Sequence, residues 1–304
     1  MKIAAIDMGT NTTLLLVAEY TASGEIIPLQ QAITTTRLGE TNPQQPHLIT
    51  PRAMQATLIT LKNYLEICAQ HRVKQVLIAA TAPLRSKTNG AELVERIHRE
   101  TGCSVQILSP PAEAELSYLG AISNKSHLPG LILVLDIGGG SSEIIIGEGK
   151  QIKQYVSLPI GAVNLTEKFI QSDPPLETEL NQLRTTIQNT LKELIPANFR
   201  FDQVIGTAGT ITSLAAIKSG LRQYQPELID GQMLTRSAIE TLFAEFCLKT
   251  LSQRQQIIGL EPERADIIIA GTALLLEILD WFKINRFIVS ERCLRYGMIV
   301  KANT

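Results

Sequence analysis

Much of the common equipment of an enzyme is absent from this sequence. The four cysteines, Cys68, Cys103, Cys247 and Cys293, are scattered with no CxxC pair, which excludes a locally built zinc ribbon or thioredoxin-type motif and leaves them as reduced core residues. The four histidines, His47, His71, His98 and His127, show no HxH or HExxH spacing, and no GxSxG elbow occurs, so neither a zinc protease nor a serine hydrolase is encoded. A P-loop is missing as well. The formal charge of -1 leaves no global basic field, so no nucleic acid and no anionic membrane is expected as a partner. No segment reaches the roughly 18 uncharged apolar residues of a membrane span, and the opening apolar run stops at Asp7, too early for a signal peptide. A cytoplasmic protein is expected.

What is present is an ordinary globular composition, with 44% hydrophobic and 19% charged residues over 304 positions, enough chain for two domains. The apolar run Ile3 to Ile6 leads into Asp7-Met8-Gly9-Thr10-Asn11-Thr12 and is followed by a second apolar run, Leu14 to Val17: strand, tight polar turn, strand. The pattern returns at Leu131 to Leu135, Asp136-Ile137-Gly138-Gly139-Gly140-Ser141-Ser142-Glu143 and Ile144 to Ile146. Such a repeat predicts two halves built alike, facing each other across a central cleft. Between and after the hairpins, strands (76–80, 105–108, 203–205, 286–289) alternate with helices (from Pro51, then 91–100, 112–122, 210–219, 237–248 and 264–282), the signature of α/β layers. Stretches 173–175 and 221–230 read as surface loops. The predicted domains are 1–124 plus 291–304 and 125–290, with the last helix returning to the first.

The glycine turns are not dinucleotide fingerprints. Gly138 and Gly140 supply two glycines of GxGxxG, but the third position is Glu143, and a strand rather than a helix follows. A hairpin of glycine and small hydroxyls instead gathers backbone N–H groups into a nest for phosphate oxygens, and two such nests suit a polyphosphate chain. A third run, Gly206-Thr207-Ala208-Gly209-Thr210, opens a helix, whose N-terminus favours an anion. The two hairpins differ at one position: Leu14 in the first corresponds to Glu143 in the second. A carboxylate at the mouth of a phosphate nest is costly unless it binds a metal or positions water, which makes Glu143 a catalytic candidate. Glu113 and Glu115 begin another helix and point about 200° apart, so only one of them can face a site.

These motifs, together with Arg37-Leu38-Gly39-Glu40, Ala80-Thr81-Ala82-Pro83-Leu84-Arg85, Pro159-Ile160-Gly161-Ala162-Val163-Asn164-Leu165-Thr166 and Ser290-Glu291-Arg292-Cys293-Leu294-Arg295-Tyr296-Gly297, resemble the exopolyphosphatase/guanosine pentaphosphate phosphatase family in its short two-domain form. The resemblance runs from the first strand to the last helix. It implies two duplicated ribonuclease H-like domains of the actin-like, sugar kinase and Hsp70 ATPase architecture, magnesium as cofactor, and release of a terminal phosphate from inorganic polyphosphate or guanosine pentaphosphate. Carried over position by position, it implies Glu113 as the catalytic glutamate, Asp136, Gly138 and Glu143 as the metal-and-phosphate motif, and Asp7 to Thr12 as the first phosphate loop. One departure stands out. The family pattern Ser-Gly-x-Glu-Glu-Ala appears here as Ser109-Pro110-Pro111-Ala112-Glu113-Ala114, which leaves Glu115 as a competing base.

The expected reaction is in-line attack of water on the terminal phosphorus. Glu113 and Glu143 are the expected catalytic residues, and Asp136 and Glu143 the expected metal ligands, with Asp7 in reserve. Phosphates would be bound by Asp7, Gly9, Thr10, Asn11, Thr12, Arg85, Gly138, Gly139, Gly140, Ser141, Ser142, Gly206, Thr207, Gly209 and Thr210, and Arg37, Arg292, Arg295 and Lys301 would extend a basic track. Two rival readings are an actin-fold ATPase or kinase and a catalytically weak phosphate or alarmone sensor. A homodimer is left open.

Overall fold

A computed structural model describes residues 1–42, 44–125, 128–195 and 200–304, so His127 and part of the stretch around the expected domain boundary lie outside the described residues. The chain divides into two compact units, Met1–Ser126 with Arg292–Thr304, and His127–Glu291. In the first, β1 (Lys2–Met8) is buried on both faces: Ile3 and Ala5 point into one apolar cluster, Ala4, Ile6 and Met8 into another. It pairs antiparallel with β2 (Thr12–Tyr20), which pairs with the edge strand β3 (Ile26–Thr35), and parallel with β4 (Gln75–Ala80). Helix α1 (Pro51–Gln70) starts where expected, the Thr50 hydroxyl accepting from the Ala53 N–H and Pro51 occupying the first turn. Its buried stripe includes Met54, Leu58, Leu61 and Cys68. Tyr64 rather than the predicted Leu65 completes it, and the Tyr64 hydroxyl donates to Thr13 O at 3.0 Å. The short α2 (Ala82–Ser86) and α3 (Gly90–Thr101) follow, the latter closed by Gly102 at φ 72°. Strand β5 (Gln106–Ile107) is shorter than predicted, and α4 (Pro110–Ile122) ends the segment.

The second unit repeats this plan. Strands β6 (Ile132–Ile137), β7 (Ser142–Glu148) and β8 (Gln151–Leu158) form an antiparallel trio, followed by α5 (Ala162–Phe169), α6 (Glu177–Leu194), β9 (Gln203–Thr207), α7 (Ala208–Lys218), α8 (Pro226–Ile229), β10 (Met233–Thr235), α9 (Arg236–Leu248), α10 (Leu251–Arg254), α11 (Ile268–Trp281) and β11 (Arg286–Val289). The order β8-β7-β6-β9 mirrors β3-β2-β1-β4, with β6 and β9 parallel as β1 and β4 are. The protein is thus an α/β fold of two units with the same strand order, as the repeated hairpin predicts. The predicted helix 264–282 is corrected: Pro262–Arg264 is a 3₁₀ turn, with the Arg264 N–H on Glu261 O and the Ala265 N–H on Pro262 O, and α11 begins at Ile268. Part of the predicted loop 221–230 is α8. No helix among the described residues is long and apolar enough to cross a membrane.

Helix α12 (Leu294–Ala302) belongs to the first unit and lies on α4 at backbone contact. A Cβ on Gly297 would stand 1.9 Å from Leu116 O, and one on Gly120 would stand 2.0 Å from Cys293 O, so only glycine fits at either crossing point. Gly297→Ala is therefore expected to cost about 1–3 kcal/mol through overpacking. A lowered midpoint in thermal unfolding of the variant checks this, and an unchanged midpoint would mean that α12 shifts freely on α4.

Candidate active site

The turn after β1 is fastened through its carbonyls. Thr10 O accepts from the Gly39 N–H at 2.9 Å, and Asn11 O from the N–H groups of Thr36 and Arg37 at 3.1 and 2.9 Å. Gly39 must be glycine, since a Cβ would lie 2.1 Å from the Thr10 methyl. The Gly9 N–H donates to Thr12 O within the turn, so among the N–H groups expected to cradle phosphate Gly9's is already committed. Asn11 and Thr12 are buried, and Asn11 Nδ2 has no acceptor in the protein. A buried donor of this kind is costly unless an outside oxygen accepts from it.

Glu113 and Glu115 separate as their spacing predicts. Pro110 and Pro111 take the first helical positions of α4, where a missing N–H is harmless, and the Glu113 N–H donates to Ser109 O at 2.9 Å, so the prolines leave the helix register intact. The Glu113 side chain is 9% exposed and accepts from Arg85 Nη1 at 2.6 Å, and the same nitrogen donates to Leu108 O at 2.7 Å. Glu115 lies on the outer side of α4, 2.6 Å from the Lys301 ammonium.

In the second unit Asp136 and Glu143 are direct cross-strand partners on β6 and β7, 8% and 1% exposed. Side chains opposite each other across an antiparallel pair share a face about 5 Å apart, where like charges repel. Ser157, opposite Glu143 on β8, donates to Glu143 Oε1 at 3.0 Å. The intervening loop is anchored by α5: Gly138 O and Gly139 O accept from the N–H groups of Ala162 and Val163, and Gly140 O from Asn164 Nδ2 at 2.8 Å. That anchorage uses carbonyls and leaves the N–H groups of Gly138 to Ser141 uncommitted to α5. Ser141 and Ser142 are buried, and Ser142 Oγ has no partner, whereas its counterpart Thr13 shares a 2.9 Å hydrogen bond with Thr36.

The third run divides between two elements. Gly206 and Thr207 are buried inside β9: a Cβ on Gly206 would meet the Phe287 ring at 2.6 Å, and the Thr207 hydroxyl donates to Ser290 O at 2.9 Å. Neither hydroxyl nor glycine there opens toward a ligand, so the donors of this segment are the first-turn N–H groups of α7, from Ala208, Gly209 and Thr210. Ala208 sits at φ 71°, a conformation held by its surroundings at a cost of roughly 1–3 kcal/mol. Beside this turn lies Arg264, close enough that a Cβ on Gly209 would stand 1.9 Å from its Nη1, while its Nε donates to Glu261 at 2.6 Å. Cation and helix N-terminus together favour an anion. Arg264, Ser157 and Asn164 were not legible as site residues, because each acts through a contact far away in sequence.

Three of the four residues expected to form a basic track are committed elsewhere. Arg295 is 2% exposed with Nη1 on Leu15 O, Arg292 lies over the Tyr296 ring at 4.7 Å, and Lys301 is paired with Glu115. Burial pushes the Cys68 and Cys247 thiols up to about 11, so neither is a thiolate at neutral pH. Among the described residues no cluster of three or more His, Cys, Asp and Glu could hold a metal. Magnesium asks for less, since one or two carboxylates with water and substrate phosphate suffice, and the Asp136–Glu143 pair supplies that donor set.

The sequence model of the Ppx/GppA phosphatase family matches residues 16–303. A bifunctional 3-dehydroquinate synthase/phosphatase of Fusobacterium nucleatum is 33% identical over 308 residues, covering 98% of this chain; this chain spans 46% of that relative's length. Exopolyphosphatase 2 of Mycobacterium tuberculosis is 29% identical, with 98% of this chain and 97% of the relative covered. The crystal structure of the Aquifex aeolicus Ppx/GppA family member is similar with a TM-score of 0.84 at 31% identity, covering 100% of this chain and 97% of that one.

The anchorage of the second loop gives a direct test. A Cβ on Gly161 would stand 2.5 Å from the Gly139 carbonyl, so Gly161→Ala must push α5 and the loop apart. Amide exchange at Gly138 to Ser141 is expected to speed up by on the order of tenfold, with the core strand β6 still protected. Unchanged exchange would show that α5 does not hold the loop.

Proposed function

Because the chain belongs to the Ppx/GppA phosphatase family, we propose that it releases the terminal phosphate of inorganic polyphosphate, or of guanosine pentaphosphate, by attack of water. The observation that carries this reading is the buried Asp136–Glu143 pair beside a glycine-serine loop, carboxylates that suit a cation next to backbone N–H groups that suit phosphate oxygens. The exopolyphosphatase relative supports polyphosphate as the substrate.

The chain's own groups divide the work. Glu113, a buried carboxylate on a rigid helix, orients the attacking water and takes its proton. Asp136 and Glu143 would hold magnesium, and Ser157 keeps Glu143 in place. The N–H groups of the Gly138 to Ser141 loop, those of Thr10 and Asn11, and the first turn of α7 with Arg264 beside it bind phosphate oxygens. When bound, magnesium supplies charge neutralisation at the phosphate oxygens as the terminal group departs. Glu115, paired with Lys301 on the outer side of α4, has no part in this.

A phosphate-release screen with magnesium against polyphosphates of several lengths, guanosine pentaphosphate and ATP tests the reading. Release from a polyphosphate or from guanosine pentaphosphate is expected, with Glu113→Gln slower by roughly 100-fold or more at unchanged or tighter substrate binding, and Glu115→Gln near wild type. Asp136→Asn is expected to raise the magnesium requirement steeply while the fold persists. Release from ATP alone would favour an ATPase or kinase, and tight binding without release would favour a sensor; either result overturns hydrolysis of polyphosphate or guanosine pentaphosphate as the function.

A further inference from the structure

We infer that Arg85 acts on the reaction through Glu113, as a positioning residue whose Nη1 ties the carboxylate to the backbone of Leu108 and so fixes where the base stands. This deepens the reading of Glu113 as the base and rests on it. A guanidinium has five N–H groups in a rigid plane, two of them on Nη1. Both Nη1 protons are spent here, one on Leu108 O at 2.7 Å and one on Glu113 Oε2 at 2.6 Å. The three on Nε and Nη2 are used by neither bond. Only 21% of the Arg85 side chain and 9% of the Glu113 side chain are exposed, so the contact is little screened by solvent.

The frame around this fork is fixed from three sides. The Leu108 N–H donates to Ala80 O at 2.9 Å, so both backbone groups of Leu108 are tied to the segment that carries Arg85. Helix α2 is started by a proline and packed through Pro83 and Leu84, and Gly90 lies so close that a Cβ there would meet Leu84 O at 2.8 Å. On the other side, Glu113 belongs to the first turn of α4, whose N–H from Glu113 is bonded to Ser109 O. The glutamate side chain is flexible on its own, and tethering Oε2 to a fixed guanidinium holds the carboxylate at a defined place. Lysine reproduces this arrangement poorly, because its ammonium lies one bond nearer the backbone than Nη1 does and rotates freely where the guanidinium holds a fixed plane.

The test is a cycle of Arg85→Lys, Glu113→Gln and the double variant, assayed for magnesium-dependent release from polyphosphate, with thermal unfolding of each. Arg85→Lys retains the charge, so KM is expected to change little while kcat falls by roughly 10-fold or more, as misplacement of a catalytic group does. In the Glu113→Gln background the same change is expected to alter kcat less than about twofold, because the group it positions is gone. Should Arg85→Lys fold poorly, Arg85→Gly with millimolar guanidinium replaces it: turnover recovers when Glu113 is present and not in the Glu113→Gln background. An equal loss in both backgrounds, or a wild-type kcat in Arg85→Lys, overturns the inference and leaves Glu113 as base untouched. Full activity of Glu113→Gln alone would instead remove the base assignment and the inference with it.

Discussion

Asp136 stands near the end of a strand buried throughout, and beside it on the next strand stands Glu143, almost without solvent contact. Two carboxylates in that position repel strongly, and their mutual proximity is tolerable only with positive charge or a proton supplied to them. The surrounding loop answers this constraint. Three successive glycines remove every side chain from the approach, α5 draws their carbonyls back, and Ser157 steadies Glu143 from β8. In the proposed function the cation arrives with the substrate, as magnesium bound to polyphosphate.

The duplicated first unit solves a different problem with the same hairpin. Leu14 takes the place of Glu143, and Thr13 is satisfied by Thr36, so this turn carries no paired acids. In the proposed function its fixed carbonyls and the unpartnered Asn11 amide suit it to binding phosphate. The acid of this unit is set instead on α4, and the glycine contacts that seat α12 on α4 determine where that helix lies. A substitution in the last helix therefore bears on Glu113 indirectly, through the seating of α4.

The two hairpins, the capped start of α1 and the divergence of Glu113 from Glu115 were legible in the sequence because each follows from local spacing. Strands β3 and β8 and helix α6 were not: β3 and β8 are edge strands with largely exposed faces, and α6 buries only Leu183, Ile187 and Leu191 among polar neighbours. At the site, glycine runs announced the loops, yet Gly206 proved to be a packing glycine against Phe287 rather than part of a nest. Arg295 looked like a surface base and is buried on Leu15 O. Arg264 and Ser157 escaped notice since their meaning lies in long-range contacts. Chemistry declared by a run of neighbours can be read from the chain, and chemistry assembled by packing cannot.

The central claim is that water attacks the terminal phosphorus. Hydrolysis of polyphosphate in ¹⁸O-labelled water, read by mass spectrometry of the products, tests it most directly. The account predicts one ¹⁸O in each orthophosphate released and none in the shortened chain. Label in the chain terminus instead, or orthophosphate without label, would show attack at another phosphorus or transfer to an acceptor other than water, and would contradict it.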